Sequence, residues 1–586
     1  MHKTMSMAER ILCRPRAATA ISMLLAGGLL GALSAADLHP AGAVAAWMSA
    51  DGVLSDAYLR LIRDSQLALA FCFLAAGALF SWIDAQGLLR FLQAISFRKF
   101  ALAAGLFGLL SGYAVQEGLF DGIPHVTDAT SHLFQAKIFA AGRIWAPAPA
   151  CPDAFWQPHV LITHSGKWFT KYTPGHALLL AAGMKLGLLQ WMLPLCLMVV
   201  VVSLGRLLEA YEGRSAARVG MVLLATSPLA LLLSGSFMSH VSAMAGLAAG
   251  FLCWTRFRGA ASSWPGRLWA AAGGFLLAAS ALTRPHEFVL MGFAGVLFSI
   301  SWRAEEWRGV WKSLPWLFLG AIPVLAFWMQ WNVVLYGRPF AAGYGFSGGD
   351  VLRPAFQGHL GLSPSFGLRE AVSLWIWNVT RVNESFLGWP VSLLFVPFAF
   401  IRRGDRFLYL SVLGALVGMG FYFFYEYRGE LEARYYFLIL PFFVHLTVRG
   451  MRNIVQFQAS ARWRALAIQG IWLVCLAFGL YAALFYWPRV LAPRYGDRYE
   501  EASTEVEQAA RQAGLDRALV LVGPENGSSF FYTSGFIFND PLLRGAVVYA
   551  RDMPGIRACL REAFPLRKFY EYERMPEGPG CLRPVD

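Results

Sequence analysis

The chain has 586 residues, of which 57% are hydrophobic and 15% charged, and its formal net charge is +14. An ordinary soluble domain carries about 25% charged residues, and many apolar runs here reach the ~20 residues needed to cross hydrocarbon. The composition therefore predicts a polytopic membrane protein and excludes a soluble globular one. The positive charge is explained first by membrane topology, so no nucleic-acid partner is expected.

Thirteen apolar runs predict membrane-spanning helices. The first follows a basic start, MHKTMSMAERILCRPRAATA, without a persuasive cleavage site, which favours a start-transfer helix over a removed signal peptide. The apolar stretch 174–188 is too short to span comfortably, so we predict an interfacial or re-entrant helix there. The predicted spans are 17–36, 65–84, 100–118, 190–206, 215–236, 241–256, 267–283, 287–302, 313–334, 387–401, 406–425, 435–449 and 465–487.

The placement of Lys and Arg predicts the orientation of these spans. With a cytoplasmic N-terminus, the segments that face inside carry 23 basic residues, whereas the outer loops are longer in total and carry fewer. This is the positive-inside bias. It predicts a multi-pass protein of the inner (plasma) membrane, with the loop 119–176 and the C-terminal tail outside the cytoplasm.

The loop 119–176 concentrates titratable residues between two apolar blocks. Groups of this kind are costly to hold beside a bilayer unless they have a function, so we predict that this loop forms a catalytic face. It holds Asp121, Asp128, Asp153, Lys137, Lys167, Lys171 and five of the 11 histidines, at 125, 132, 159, 164 and 176.

Two further regions interrupt the apolar pattern. A second outer loop, 335–387, begins glycine-rich and irregular and continues into an amphipathic stretch that we place along the membrane surface. After residue 488 the pattern alternates between amphipathic helices and short apolar strands. The predicted fold is therefore an all-α polytopic membrane domain over 1–487, of about thirteen spans, followed by a small α/β extracytoplasmic domain over 488–586.

The eight cysteines do not form a disulfide framework in a chain of this length, and no CxxC pair predicts a metal site. Four of them lie inside apolar runs, where a cysteine usually serves as a small buried hydrophobe. Cys559 and Cys581 lie in the polar tail and could pair with each other if that tail is outside the cytoplasm.

The motifs of the first loop resemble a known family. VTDATSHLFQAKIFAAGRIWAP followed by GKWFTKYTPGH resembles the GT-C glycosyltransferases, and in particular their protein mannosyltransferase and lipid A aminoarabinose transferase group. In that group an Asp-Glu pair opens the loop and a K-Y-P-P-G-like segment closes it; here Asp128 matches the Asp, Ala129 replaces the Glu, and 171–175 matches the closing segment. Weaker matches are Ser239-His240, Thr283-Arg284-Pro285, Gly388-Trp389-Pro390 and Ala433-Arg434-Tyr435-Tyr436.

The resemblance implies a polyprenyl-phosphate sugar donor, and this chemistry needs a carboxylate at the membrane surface to accept a proton. Asp128 is the candidate base, with the alternative that it caps a helix starting at Ala129. Asp121 is a second candidate, with a turn role before Gly122 as its alternative.

The departing phosphate needs cations rather than a strong general acid. Lys171, Arg284 and Arg434 lie at outer membrane boundaries in the predicted topology. Arginine binds phosphate in bidentate fashion; the alternatives are snorkelling or pairing with Glu287 or Glu432.

Three further residues are candidate substrate contacts: His132, Tyr172 and His240. A divalent metal stays an open alternative for the loop histidines, although their spacing fits no helical ligand pair, and no cofactor is firmly expected.

The predicted function is that of an inverting membrane glycosyltransferase that moves a sugar from a polyprenyl-phosphate donor to a glycolipid, cell-wall glycan or protein on the outer face. The competing class is a transporter or a non-catalytic GT-C-like membrane protein. A transporter should carry charged residues near the middle of its spans. The predicted spans are nearly free of them, which favours the enzyme.

Overall fold

The computed structural model describes most of the chain between residues 56 and 585, and the statements below concern the described residues. The predicted span 17–36 and most of the predicted span 287–302 lie outside them. The described residues are 56–82, 87, 91, 94–259, 263–290, 292, 304–341, 343, 350–354, 366–402, 404–425, 431, 433–496, 499–523, 531–574 and 580–585.

The described helices follow the apolar pattern along the chain. The α-helices are Asp56–Trp82, Phe97–Phe120, Thr127–Ala140, Gly175–Leu186, Met192–Glu212, Arg214–Ala225, Pro228–Gly235, His240–Gly259, Trp264–Thr283, Ala304–Tyr336, Leu368–Ser385, Arg406–Phe421, Leu440–Phe457, Ala461–Tyr481, Ala492–Tyr495, Glu505–Gln512, Thr533–Phe536 and Ile556–Ala563. The strands are Ala146–Pro147 (β1), Val160–Thr163 (β2), Lys167–Thr170 (β3), Val351–Arg353 (β4), Ala518–Val522 (β5), Val547–Arg551 (β6), Lys568–Glu573 (β7) and Cys581–Pro584 (β8).

Six of the described helical segments are long and apolar enough to cross a membrane, or seven if a pair bent by 50° at residues 226–227 counts as one span. This agrees with a polytopic membrane protein, but the predicted number of thirteen is not reached among the described residues. The six segments are Phe97–Phe120, Leu189–Glu212, Gly309–Tyr336, Phe407–Phe424, Arg434–Phe457 and Ala461–Tyr495.

The stretch 387–401 differs from its prediction as a spanning helix. It consists of turns followed by a short 3-10 helix, Pro397–Phe400. Pro390 and Pro397 explain the difference, because proline lacks the N–H that an α-helix interior requires and clashes with the preceding turn.

The chain forms two compact units, which we describe one at a time. The first comprises Met1–Ala103, Gly205–Leu229 and Gly361–Pro493; the second comprises Ala104–Leu204, Ala230–Leu360 and Arg494–Asp586. The tail after residue 494 thus belongs to the same unit as the loop 119–176. The predicted domain boundary at residue 488 stays a prediction.

A buried ion-pair network holds three helices of the first unit together. Glu212 accepts hydrogen bonds from His445 (2.9 Å) and Arg449 (3.3 Å), and it also pairs with Arg452. Arg449 reaches Asp405 at 2.7 Å, and Asp405 caps the Arg406–Phe421 helix by accepting from the Leu408 amide. We call these five charged or titratable residues, Glu212, Asp405, His445, Arg449 and Arg452, the paired cluster.

Close helix packing in the second unit depends on glycine. In the His240–Gly259 and Trp264–Thr283 helices, a Cβ at Gly273 would lie 3.1 Å from the carbonyl oxygen of Gly250. Small residues allow helix backbones to approach each other in this way. The two helices correspond to the predicted spans 241–256 and 267–283.

The loop 119–176 contains a helix and a small sheet. The Thr127–Ala140 helix, which we call the loop helix, precedes the antiparallel sheet of order β1-β3-β2-β4. Strand β4 comes from the predicted second outer loop, and Arg353, its last residue, pairs with Asp153. The two predicted outer loops therefore share one sheet.

The tail carries a second sheet, of order β6-β5-β7-β8, in which β5 runs parallel to β6 and β7 while β8 is antiparallel to β7. Strands β5, β6 and β7 lie where the sequence pattern predicts strands; β8 has no counterpart in the prediction. A single apolar core joins this sheet to the loop, and it includes Phe134, Trp168 and Phe536.

A disulfide bond joins the loop to the tail. Cys559 bonds to Cys151, at a sequence separation of 408 residues, and Cys581 is free. The predicted Cys559–Cys581 pairing is therefore wrong. The shared core explains this pairing. Phe155 lies in the 3-10 helix after Cys151, and Phe564 lies just beyond the helix that holds Cys559. The centres of their rings are 6.1 Å apart, so the two cysteines are brought close together.

Candidate functional site

The loop helix places Asp128 in its first turn. The helix begins at Thr127 after Val126, whose side chain makes no capping bond, so Asp128 is not the N-cap that the alternative interpretation required. A carboxylate in the first helical turn is stabilised by the positive end of the helix dipole. Its side chain is thus available for contacts outside the helix.

Both carboxylate oxygens of Asp128 face residues of the closing part of the loop. The hydroxyl of Tyr172 donates a hydrogen bond to Oδ1 at 2.5 Å, and Nε2 of His159 lies 3.4 Å from Oδ2. The side chain of Asp128 is 20% exposed. A carboxylate in this setting is fixed in orientation and still open to a small approaching group.

Lys171 places a cation beside this carboxylate. Its side chain is 3% exposed, and its Nζ lies 5.1 Å from the centre of the Tyr172 ring. Burial lowers the pKa of Lys171 to about 8, and the nearby charge of Asp128 opposes that shift. At neutral pH the ammonium is therefore still mostly charged.

His132 lies one helical turn after Asp128. Its ring stacks on Tyr172 with centroids 4.6 Å apart and meets the ring of His176 at 4.8 Å. Burial is the main cause that holds the pKa of His132 well below its ordinary value, so the ring is neutral. Its Nδ1 is buried and has no hydrogen-bond partner among the described residues.

We call Asp128, His132, His159, Lys171 and Tyr172 the loop cluster. Four of its members are among the residues predicted from the sequence. His159 was missed as a site residue, because it lies between two unrelated motif segments and only the folding of β2 and β3 brings it to Asp128. No spacing rule would have found it.

Arg284 and His240 lie in the same unit as the loop cluster. Arg284 pairs with Glu287, which matches one alternative for this residue, and donates a hydrogen bond to Ser239 Oγ at 3.0 Å. Its positive charge also acts on His132 and helps to lower the pKa of that ring. His240 is the first residue of its helix and is 1% exposed.

Asp121 lies apart from these contacts. It is exposed and has a left-handed φ of 50° in the turn after the Phe97–Phe120 helix. Its charge raises the pKa of His125, against the larger lowering that burial causes. The position fits the turn role that was its alternative.

Arg434 belongs to the first compact unit, whereas Asp128 belongs to the second; its predicted role in phosphate binding stays a prediction. It is 2% exposed, donates a hydrogen bond to the Tyr435 hydroxyl at 2.9 Å and lies 4.9 Å from the centre of that ring. Its possible partner Glu432 lies outside the described residues.

Metal binding has no support in the described part of the chain, where no group of three or more His, Cys, Asp or Glu residues could hold an ion. The fold brings His132 and His159 together against Tyr172, but His125 and His164 have other surroundings. His164 is exposed in the turn between β2 and β3, whereas His125 bonds to the carbonyls of Tyr499 and Phe120.

No family model matches the chain, and no curated protein matches its sequence. Solved structures do match. The chain is similar to ArnT from Cupriavidus metallidurans in the apo state, with 12% identity, a TM-score of 0.48 and coverage of 81% of this chain and 89% of that one. ArnT is a lipid A aminoarabinose transferase.

The same ArnT bound to undecaprenyl phosphate also matches, with 11% identity, a TM-score of 0.48 and coverage of 82% and 93%. A further match is the archaeal oligosaccharyltransferase AglB from Archaeoglobus fulgidus, in complex with an inhibitory peptide and a dolichol-phosphate. It has 11% identity, a TM-score of 0.39 and coverage of 81% of this chain and 70% of that one.

Proposed function

We propose that this protein is an integral membrane glycosyltransferase that inverts the anomeric carbon of a sugar taken from a polyprenyl-phosphate donor. The acceptor is a glycolipid, a cell-wall glycan or a protein on the outer face of the membrane. The observation that carries the proposal is the loop cluster, in which an oriented carboxylate, Asp128, lies beside a buried cation, Lys171. The motif resemblance supports the same donor class.

In the proposed reaction Asp128 accepts the proton of the acceptor group as that group attacks the anomeric carbon. The bond between the anomeric carbon and the phosphate oxygen breaks on the opposite side, and the electron pair leaves with the lipid phosphate. No general acid is needed at the leaving group, because a phosphate departs as a stable anion.

Cations stabilise that departing charge. A buried ammonium is costly by itself, and an incoming phosphate would offset the cost for Lys171. Arg284 and Arg434 are assigned the same phosphate-binding role, while Tyr172, His132 and His240 are assigned to the sugar or the acceptor.

The alternative, a transporter or a non-catalytic membrane protein, predicts charges inside the spans. The structure does contain such charges: His445, Arg449 and Arg452 lie in the apolar segment Arg434–Phe457. They belong to the paired cluster, in which Glu212 and Asp405 balance them. A structural role accounts for them, so the enzyme remains the better proposal.

The test is transfer by the full-length protein in nanodiscs, supplied with a panel of undecaprenyl-phosphate sugars and outer-membrane and cell-wall acceptors. Asp128→Asn should lower turnover by about 10²-fold or more, with donor binding and thermal unfolding unchanged. Asp516→Asn, at an exposed carboxylate in the turn before β5, is the matched control and should be fully active. Asp121→Asn tests the other candidate base and should also remain active.

Two results would contradict the proposal. One is full activity of Asp128→Asn. The other is an absence of transfer from every donor of the panel, together with an unchanged lipid and glycan profile in a deletion strain.

A further inference from the structure

We propose that His159 is a positioning residue that orients the Asp128 carboxylate and sets the pH range in which this carboxylate accepts a proton. The inference rests on the proposed function, since it concerns how the base of that reaction is prepared. His159 carries no motif, and its role is inferred from the geometry of the loop cluster.

The two carboxylate oxygens of Asp128 have different partners. Tyr172 holds Oδ1 at 2.5 Å, and the imidazole of His159 faces Oδ2 at 3.4 Å. The His159 side chain is 9% exposed. Two partners on different oxygens fix the plane of a carboxylate, whereas one partner leaves it free to rotate about the Cβ–Cγ bond.

The backbone of His159 has an unusual conformation. Its φ is 68°, a left-handed value that is uncommon for a residue other than glycine. Residues held in such conformations concentrate at functional sites, where the surrounding structure over-determines them. The observation therefore marks His159 as a residue held in place.

The surrounding hydrogen bonds show how it is held. The carbonyl oxygen of His159 accepts from the amide of Lys171 at 3.0 Å and from the hydroxyl of Thr170 at 3.3 Å. These two residues directly precede Tyr172. The backbone segments that carry the imidazole and the phenol are thus hydrogen-bonded to each other.

Other titratable and charged groups surround the pair. Lys171 interacts electrostatically with Asp128, and Tyr172 binds its Oδ1. His132 of the loop helix stacks on Tyr172 and is influenced by Asp128, His159, His176 and Arg284. Nearby cations stabilise an ionised carboxylate, which is the form that can accept a proton.

The role of His159 follows from where the proton goes in the transfer step. The acceptor O–H or N–H bond breaks as that atom bonds to the anomeric carbon, and the bond to the phosphate breaks with its electron pair on oxygen. The released proton goes to Oδ2 of Asp128 and is shared with Nε2 of His159. A proton that the pair already holds at lower pH blocks this step.

The kinetic test compares His159→Asn with His164→Asn in the full-length protein in nanodiscs. Asparagine tolerates a left-handed φ, so the backbone at residue 159 is preserved. The control, His164, is exposed in the turn of the same strand pair. The assay measures kcat/KM between pH 5 and 8 on the undecaprenyl-phosphate sugar that the wild-type protein uses.

For His159→Asn we expect kcat/KM at its optimum to fall about 10-fold or more, and its acid limb to move to lower pH by about one unit, because the first proton then binds only to the carboxylate. His164→Asn should match the wild type in both respects. A lower rate with an unmoved acid limb would show a merely structural role and would overturn the proposal, as would an unchanged profile.

A second measurement needs no turnover. In protein labelled with 13C-histidine, the NMR signal of His159 is identified by its loss in His159→Asn and recorded with and without Asp128→Asn at one pH. Removal of the carboxylate should shift the His159 signal, since the ring then loses the charged oxygen that lies 3.4 Å from its Nε2. An unchanged signal would refute the pairing even in an active enzyme. A shifted signal in a protein without transfer would count only against the proposed function.

Discussion

The paired cluster and the loop cluster use similar residues in opposite ways. In the paired cluster, the carboxylate of Glu212 receives two arginines and a histidine, and Arg449 also reaches Asp405. In the loop cluster, the carboxylate of Asp128 is held by a phenol and an imidazole. In the paired cluster, the arginines neutralise the carboxylates, so no charge is left for chemistry. In the loop cluster, the Asp128 carboxylate is oriented and can still accept a proton.

The difference teaches how to separate a structural group of charges from a chemical one. Removing one partner of a buried ion pair leaves the others uncompensated and is strongly destabilising. Removing a catalytic group costs activity, and often little stability, because active sites are not optimised for stability. The comparison therefore predicts opposite responses to the same kind of substitution.

The largest expected effect is on the free energy of unfolding of Glu212→Gln. Its side chain is 2% exposed, so loss of its charge should destabilise the protein by about 3–5 kcal/mol. Asp128→Asn should change the stability by less than about 1 kcal/mol. Denaturation of purified protein in detergent measures both.

Glu209→Gln is the control for this substitution, because Glu209 is 21% exposed and pairs with Arg206 and Arg214 near the surface. It should cost less than about 1 kcal/mol. If Glu212→Gln is as stable as this control, the paired cluster does not have the structural role inferred for it.

The next effect is on donor binding by the loop cluster. Because the pKa of Lys171 is about 8, its positive charge is lost as the pH rises from 7 to 9. The KM for the donor should therefore rise about tenfold over this range in the wild type. In Lys171→Arg the guanidinium stays charged, so the KM should stay nearly constant.

Lys167→Arg serves as the control, because the ammonium of Lys167 is bound to the carbonyl of Val334 at 2.8 Å. It should keep the wild-type dependence on pH. An equal rise in KM for Lys171→Arg would remove Lys171 from the phosphate site.

A smaller effect is expected for Tyr172→Phe. This variant keeps the ring that packs against His132 and removes only the hydroxyl that donates to Asp128. A hydrogen bond to a charged group contributes about 1.5–3 kcal/mol, so kcat should fall about tenfold or somewhat more. Unchanged kcat would show that the phenol does not hold the base.

The smallest effect concerns Lys137, on the other face of the loop helix. Its ammonium donates to the carbonyls of Ile537 (2.5 Å) and Asn539 (3.0 Å), and burial lowers its pKa to about 8. The unfolded chain, with an ordinary lysine pKa, binds more protons between pH 8 and 10.5, so Lys137 makes the stability rise with pH in this window.

Between pH 7.5 and 9.5, the thermal midpoint of Lys137→Met should therefore rise less than that of the wild type, by about 2 °C. Lys568→Met, at an exposed lysine of β7, should retain the full change. Equal pH dependence in wild type and Lys137→Met would mean that the buried lysine does not titrate in this range.

The sequence predicted what depends on local pattern and on short motifs. Apolar runs located most of the described helices. The two ends of the first loop yielded Asp128 and Tyr172, which are hydrogen-bonded in the structure, and Lys171, whose pKa Asp128 influences. The contact of Asp128 with His159 was not predictable, because it depends on how β2 and β3 pair. The Cys151–Cys559 bond depends in the same way on a core formed by distant segments.

The paired cluster illustrates the other limit of sequence analysis. Each of its arginines was counted as a cytoplasmic charge that fixes topology, and nothing in the sequence revealed that they converge on Glu212. The missing helix at 387–401 has a local cause, since two prolines outweigh an apolar composition.

The core shared by the loop and the tail has a consequence for biogenesis. The loop helix is made early in translation, whereas the Cys559 thiol that bonds to Cys151 follows 408 residues later and Phe536 belongs to the same late segment. The surroundings of the loop helix can therefore be completed only after the chain has been synthesised beyond Cys559. A product truncated before Phe536 would lack part of the core against which the loop helix packs, and should be inactive.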